Sequence, residues 1–374
     1  MPLTSASNQP AASNPQPIQA TRHFTLTLSQ PDELDLALTD RWLNQVLQLE
    51  PEAYAGPNIA ADDKDRALMA GFVWRGLRLC RTLLQTLSIP TYYPGKILSL
   101  SPLEQASGQW RVTVALSHVE HVPQESYPAT LNAAFNIIRS ILNQAISPIT
   151  VNALFHYIES NIIDSSYNSM LSGKSTLPIL HSAWQMDIPF LHLGAGVYQL
   201  GWGAKGRKMD RSLCEGDSAI GAKLAQNKVW TANLLRMAGL PAPDHAVVNT
   251  VENAVKAAQQ LGWPLVIKPA DGDRGEGVSI DLNDEESIKT AIDKALAASK
   301  MKQALVEKQV AGVCHRIFVS HGQLLYATKR NPKSVQADGK STVAELIAAA
   351  EAESRSKPPW LRDEPFPSDA LAIE

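Results

Sequence analysis

A lysine at the end of a short apolar run, followed at once by a glycine-rich loop, is a pairing that can hold an anion. The run is Pro264-Leu265-Val266-Ile267-Lys268-Pro269, and the loop is Asp271-Gly272-Asp273-Arg274-Gly275-Glu276-Gly277. Glycines carry no Cβ and reach φ > 0, so their N–H groups can close on phosphate oxygens. A neighbouring lysine adds a mobile point charge. Val278-Ser279-Ile280 reads as a returning strand, which makes the loop a flap between two strands. Downstream, Ala304-Leu305-Val306-Glu307 reads as a strand running into Lys308-Gln309-Val310. A hairpin is expected over His315–Ser320 and Gln323–Arg330, turning at His321-Gly322 and carrying Arg316 and Arg330. Alternation puts Leu324, Tyr326, Thr328 and Arg330 on one face and Lys329 on the other. Each piece alone also has an ordinary reading: the loop as a turn, Arg330 as a surface arginine at a strand end.

Other elements must carry these residues. Phe24, Leu26 and Leu28 alternate with Thr25 and Thr27 as in a half-buried strand, and so do Trp110, Val112, Val114 and Leu116. Asp65 to Leu87 has helical spacing (Leu68, Phe72, Leu79, Leu83), as does Leu131 to Leu142, with Thr130 as its expected cap. Further helices are expected over Leu177–Met186, Ser218–Gln226, Lys228–Met237, Glu252–Leu261 and Glu285–Ser299. Gly239 and Pro241 stop the one that begins at Lys228. Asn283 with Glu286, and Thr342 with Glu345, read as capping boxes. Thr342 therefore has a structural task. The fold class expected is α+β, a small N-terminal α/β domain followed by a second domain that holds the glycine loop. The divisions are a disordered tail over 1–22, an α+β domain over 23–148, a connecting region over 149–216 and the second domain over 217–374.

The chain has 374 residues, a net charge of −3 and 44% hydrophobic content, enough for two domains or three. That charge gives no reason to expect nucleic acid or an anionic membrane as partner. The three cysteines, Cys80, Cys214 and Cys314, form no CxxC, so neither a disulfide framework nor a zinc site is implied. No apolar run reaches spanning length, and Met1 to Ala20 is polar without an apolar centre. A cytoplasmic protein is expected.

Two motifs are set aside. His118-Val119-Glu120-His121 offers metal-ligand types, but on a strand His118 and Glu120 share a face that His121 leaves, so it reads as a polar strand end. Ser172-Gly173-Lys174-Ser175-Thr176 imitates the end of a P-loop. The spacing would need glycine where Asn168 stands, and no strand precedes it; a turn and N-cap is expected instead.

The chain resembles cyanophycin synthetase and, with it, the ATP-grasp ligases. The residues that carry the likeness are Leu193-Gly194, Gln199-Leu200-Gly201-Trp202-Gly203, Asn227-Lys228, Ala238-Gly239-Leu240-Pro241-Ala242-Pro243, Val266-Ile267-Lys268-Pro269, His315-Arg316, Asp338-Gly339-Lys340-Ser341-Thr342 and Glu345-Leu346-Ile347. It is dense from Thr176 to Ile347 and looser from Phe24 to Leu142. The ligase domain of bifunctional glutathione synthetases shares several of these motifs.

The resemblance implies an ATP-dependent carboxylate–amine ligase that forms a peptide bond through an acyl phosphate, with ATP, Mg2+ and an amino acid or peptide as partners. A homo-oligomer is left open. Lys228 and Lys268 would contact the α- and β-phosphates. The flap, with Asp273, Arg274, Gly275 and Gly277, would cover the β- and γ-phosphates. Lys308 to Val310 would meet the adenine edge, with Glu307 beside it. Arg330, with Arg316 or Lys329, would stabilise the acyl phosphate.

Two departures stand out. Cys314 occupies a position where many members have an acid. The Mg2+ ligands of this fold lie on a late strand with Glu-x-Asn, and here the only such triplet is Glu159-Ser160-Asn161, far upstream. The sequence thus reads as an incomplete ATP-grasp domain without the Mur-ligase-like domain, its metal ligands expected beyond Glu374. A glutathione synthetase-like γ-glutamyl ligase and a non-catalytic nucleotide- or peptide-binding module are the alternatives.

Overall fold

The computed structural model describes residues 19–31, 35–164, 175–271, 275–331 and 333–366. They cluster into two units, Met1–Glu215 with Ser334–Glu374, and Gly216–Lys333.

In the first unit the alternating run forms β1 (Thr21–Ser29). The short helix α1 (Leu36–Arg41) leads into a π-helical turn, Trp42–Val46. Then come α2 (Lys64–Thr86), β2 (Lys96–Pro102), β3 (Gln109–Ser117) and α3 (Ser126–Ile141). The three strands make an antiparallel sheet in the order β1-β3-β2. The α2 and α3 helices meet through Phe72 and Phe135, whose rings lie 5.6 Å apart. Gly76 permits that approach, because a Cβ there would fall 2.3 Å from the Phe135 ring. Trp42, Leu77, Val112, Val114 and Tyr127 complete a buried core. The Tyr127 hydroxyl accepts from the Val119 N–H at 2.9 Å, and burial pushes its pKa up to about 12.

Thr130 is not a cap. It lies inside α3 and its hydroxyl donates to the Ser126 carbonyl at 2.7 Å. Pro128 lies in the first turn of α3, where proline is tolerated because its missing N–H would have had no partner.

Ser147 caps α4 (Pro148–Ile158), with proline at the first helical position. A second π-helical turn, Glu159–Ile163, follows and holds the Glu159-Ser160-Asn161 triplet. The helix α5 spans Thr176–Gln185. Ser175 precedes it without a side-chain cap, so the expected capping role is corrected there; Ser172, Gly173 and Lys174 lie outside the described residues. Strands β4 (Phe190–Gly194), β5 (Val197–Leu200), β6 (Arg207–Asp210) and β7 (Leu213–Cys214) form an antiparallel meander over Tyr92, Leu180, Phe190, Tyr198 and Met209.

The second unit opens with α6 (Ala219–Gln226) and α7 (Lys228–Met237), each capped by the polar side chain before it, Ser218 and Asn227. Next come β8 (His245–Val248), α8 (Val251–Leu261), β9 (Leu265–Pro269), β10 (Ser279–Leu282), α9 (Glu285–Ala298) and β11 (Ala304–Lys308). The strands form an antiparallel sheet in the order β10-β9-β11-β8. One face is covered by α8 and α9: Leu265, Ile267, Ala304 and Val306 are buried with Ala254, Ala258, Ile288 and Ile292. The cap of α9 is Asp284, which accepts from the Ser287 N–H at 2.7 Å, and not Asn283, whose amide donates to the Asp281 carbonyl. Strands β12 (His315–Ser320) and β13 (Gln323–Lys329) form the expected hairpin, with His321 and Gly322 at φ 51° and 74° in its turn.

The last helix, α10 (Val343–Arg355), begins with the Thr342–Glu345 capping box. The chain after it packs in the first unit. Trp360 lies against that core, and the Arg362 guanidinium donates to Glu159 Oε2 at 2.8 Å. Among the described residues no helix is long and apolar enough to cross a membrane.

Candidate nucleotide-binding site

The period of two along β9 decides where its lysine goes. Leu265, Ile267 and Pro269 face the helices, so Val266 and Lys268 take the open face of the sheet. On β11 the open face receives Leu305 and Glu307, with Leu305 opposite Lys268 and Glu307 opposite Val266. Lys268 and Glu307 are therefore diagonal neighbours, and they form an ion pair with side chains 22% and 13% exposed. Lys228 joins them from the start of α7, its Nζ donating to the Pro269 carbonyl at 3.2 Å. Two lysines distant in sequence thus meet at the end of β9 from which the glycine loop leaves.

The loop is tied at its base. The Asp271 carboxylate accepts from Ser299 Oγ at 2.6 Å and from the N–H groups of Lys300 and Met301 at 3.1 and 3.2 Å. The Ser299 hydroxyl, chiefly, holds this carboxyl below the usual carboxylate range, assisted by the backbone donors. Gly275 and Gly277 have φ of 83° and 70°. At Gly277 a Cβ would also meet Ala298 Cβ at 2.7 Å and Pro269 Cγ at 2.9 Å. Asp273 and Arg274 lie outside the described residues.

The remaining candidates are placed less closely together. The Lys308 ammonium donates to the Trp263 carbonyl at 2.5 Å, and its backbone N–H to the Asp244 carbonyl at 2.8 Å. The Gln309 N–H donates to the Pro264 carbonyl at 3.1 Å, and Val310 beyond it is exposed. Arg316 pairs across the hairpin with Thr328. The Arg330 N–H donates to the Cys314 carbonyl at 2.8 Å, which extends the ladder by one bond and faces Arg330 against the exposed Cys314. The hairpin ladder joins only its own two strands. His245 was not foreseen: it sits opposite Glu307 on the open face, and its sequence signal, one polar residue in His245-Ala246-Val247-Val248, was slight.

Away from this site, the His118–His121 stretch has a structural use. Glu120 Oε2 accepts the His192 N–H at 3.1 Å. The His192 ring accepts the Gly196 N–H at Nε2, so Nδ1 carries the proton and donates to the Glu120 carbonyl at 2.7 Å.

A four-stranded antiparallel sheet backed by two helices, with Lys228 and Lys268 at the root of a glycine loop, can hold a polyphosphate. Residues 227–317 match the family described as carbamoyl-phosphate synthase L chain, ATP binding domain. The chain is 36% identical over 190 residues to cyanophycin synthetase of Geminocystis herdmanii (strain PCC 6308), covering 50% of this chain and 22% of that protein. It is 34% identical over 137 residues to the glutathione biosynthesis bifunctional protein of Mannheimia succiniciproducens, covering 36% of this chain and 18% of that one. The chain thus spans about a fifth of the length of these curated relatives. Among solved structures it is similar to a bifunctional glutathione synthetase from Pasteurella multocida, at 22% identity and a TM-score of 0.32 over 66% of this chain and 34% of that one.

Proposed function

We propose that the open face of the β10-β9-β11-β8 sheet binds ATP, and that the protein is a cytoplasmic carboxylate–amine ligase acting on an amino acid or an acidic peptide. The observation that carries this reading is the convergence of Lys228 and Lys268 on the end of β9, at the root of the glycine loop. Two ammonium groups and a loop with left-handed glycines suit a polyphosphate, because both present donors without a covering side chain. In the reaction a substrate carboxylate oxygen attacks the γ-phosphorus, giving an acyl phosphate and ADP. The amine then attacks the acyl carbon, loses its proton and expels phosphate.

Lys228 and Lys268 neutralise charge on the α- and β-phosphates in this scheme. Asp273, Arg274, Gly275 and Gly277 cover the β- and γ-phosphates. Glu307, Lys308 and Val310 border the adenine and ribose. Arg316 and Arg330 are assigned to the acyl phosphate. Among the described residues no cluster of three or more His, Cys, Asp or Glu side chains could hold a metal ion, so no step is assigned to Mg2+ on this chain. The γ-glutamyl ligation is the second reading, favoured by the identity with the glutathione biosynthesis protein.

The test is thermal stabilisation by ATP. Lys268→Ala should abolish it, and Lys289→Ala, on the exposed side of α9, should leave it intact. Equal loss in both variants refutes the site. ADP formation with a panel of amino acids, acidic peptides and γ-glutamyl peptides then separates the substrate classes.

A further inference from the structure

Three arginines spaced three apart lie on α2 and are largely buried. Arg75, Arg78 and Arg81 have side chains only 13%, 5% and 14% exposed. Buried guanidinium groups are costly to desolvate and are poor stabilisers as such. Burial also lowers the Arg78 pKa from the usual arginine range.

The partners on hand do not use all of their donors. Arg75 is paired with Asp40 and donates to the Gly71 carbonyl at 2.9 Å. Arg78 donates to Asn44 Oδ1 at 2.9 Å and to the Glu50 carbonyl at 2.8 Å. Arg81 is paired with Glu52 Oε1. Among the described residues the Nε–H groups of all three arginines, and Glu52 Oε2, are closed off from solvent without a hydrogen-bond partner. Orphaned donors and an orphaned acceptor thus stand together, and buried polar groups are rarely left so.

Arg75, Arg78, Asp40 and Glu52 are among the walls of a cavity of about 340 Å3, which Arg81 does not line. Tyr54 and Trp74, edge to face at 6.0 Å, give it an apolar side. A lone anion would suit Arg75 and Arg78 but would lie beside the carboxylates of Asp40 and Glu52, which the arginines already pair. A lone cation would meet the reverse. A small molecule with both charges on one carbon answers both sets, and its substituent can lie against the aromatic wall.

We propose that this cavity binds a free zwitterionic α-amino acid, its carboxylate on Arg75 and Arg78 and its ammonium on Asp40 and Glu52. The site belongs to the first unit and does not depend on the nucleotide reading.

The test is a titration of the full chain followed through its arginine Nε–H signals by nitrogen-15 NMR. Each common L-amino acid is added singly, with acetate and ethylammonium as half-ligands, at constant ionic strength. The expected result is a saturable shift of the Arg75 and Arg78 signals with at least one amino acid, at concentrations where neither half-ligand acts. Glu52→Gln should then weaken that amino acid by about ten-fold or more. If that variant does not fold, the wild-type comparison still decides. Signals that move with no amino acid, or as readily with acetate, overturn the proposal and leave a structural ion-pair cluster or a simple anion site.

Discussion

At Lys268 the strand period does what no composition could, setting an ammonium on an open face beside a carboxylate. Because Glu307 is only 13% exposed, removing the lysine strands a poorly hydrated charge. Lys268→Met should cost about 2 kcal/mol in urea unfolding without nucleotide, and the double variant with Glu307→Gln should recover most of that. A double variant no better than the single one would show that the pair contributes nothing beyond its packing. Asp271 gives a pH signature. Its folded pKa is depressed, so its stabilisation is complete above the unfolded value near pH 4 and is lost as pH falls through the folded value. Asp271→Asn should therefore lose stability at neutral pH, and the gap to the wild type should close below about pH 4. A gap independent of pH would exclude the carboxylate as its source. Lys268 was legible as the charged end of a continuous apolar run beside a glycine loop. Asp271 as an anchor was not, because Ser299, Lys300 and Met301 reach it only once α9 has folded back.

At the scale of elements, the glycine loop separates two kinds of constraint. Gly275 has a left-handed φ with open space around it, whereas Gly277 has the same hand and a crowded Cβ direction. Gly275→Ala should cost about 1 kcal/mol from backbone strain alone. Gly277→Ala should cost about 3 kcal/mol, since Ala298 and Pro269 must also move. Urea midpoints with unchanged m-values measure both, and equal losses would mean that crowding at Gly277 is relieved without cost. Some element ends were legible from a local cap and others were not. Thr342 with Glu345 formed the expected capping box, whereas Ser218, read as the first residue of its helix, is the cap. Asn283 failed as the cap of α9 because Asp284, one residue on, has the shorter reach to Ser287. The β4–β7 meander gave little warning, for its strands are only two to five residues long and too short to show a period.

At the scale of the molecule, two compact units, each with its own main core, imply two cooperative events. The aromatic and aliphatic cluster around Trp42, Phe72 and Tyr127 belongs to one unit, and the cluster around Leu265, Ile267 and Ile292 to the other. The sequence showed both cores through periodicity, but not the return of residues after Lys333 to the first unit. That return depends on a few long-range contacts, and periodicity reports only neighbours. Arg362 makes two of them, to Glu159 and Phe155. Its guanidinium bonds Glu159, donates through Nε to the Lys357 carbonyl at 3.2 Å and lies 5.8 Å from the Phe155 ring centre. Its side chain is 18% exposed, so these contacts are partly shielded from water. Arg362→Ala should destabilise the first unit by about 1–2 kcal/mol. The second unit holds none of these contacts, so its transition should stay where it was and keep its response to ATP. Differential scanning calorimetry with and without ATP tests this. Two transitions are expected, the ATP-sensitive one abolished as a reporter by Lys268→Ala and the other lowered by Arg362→Ala. A single transition that both substitutions move together would mean that the two cores unfold as one.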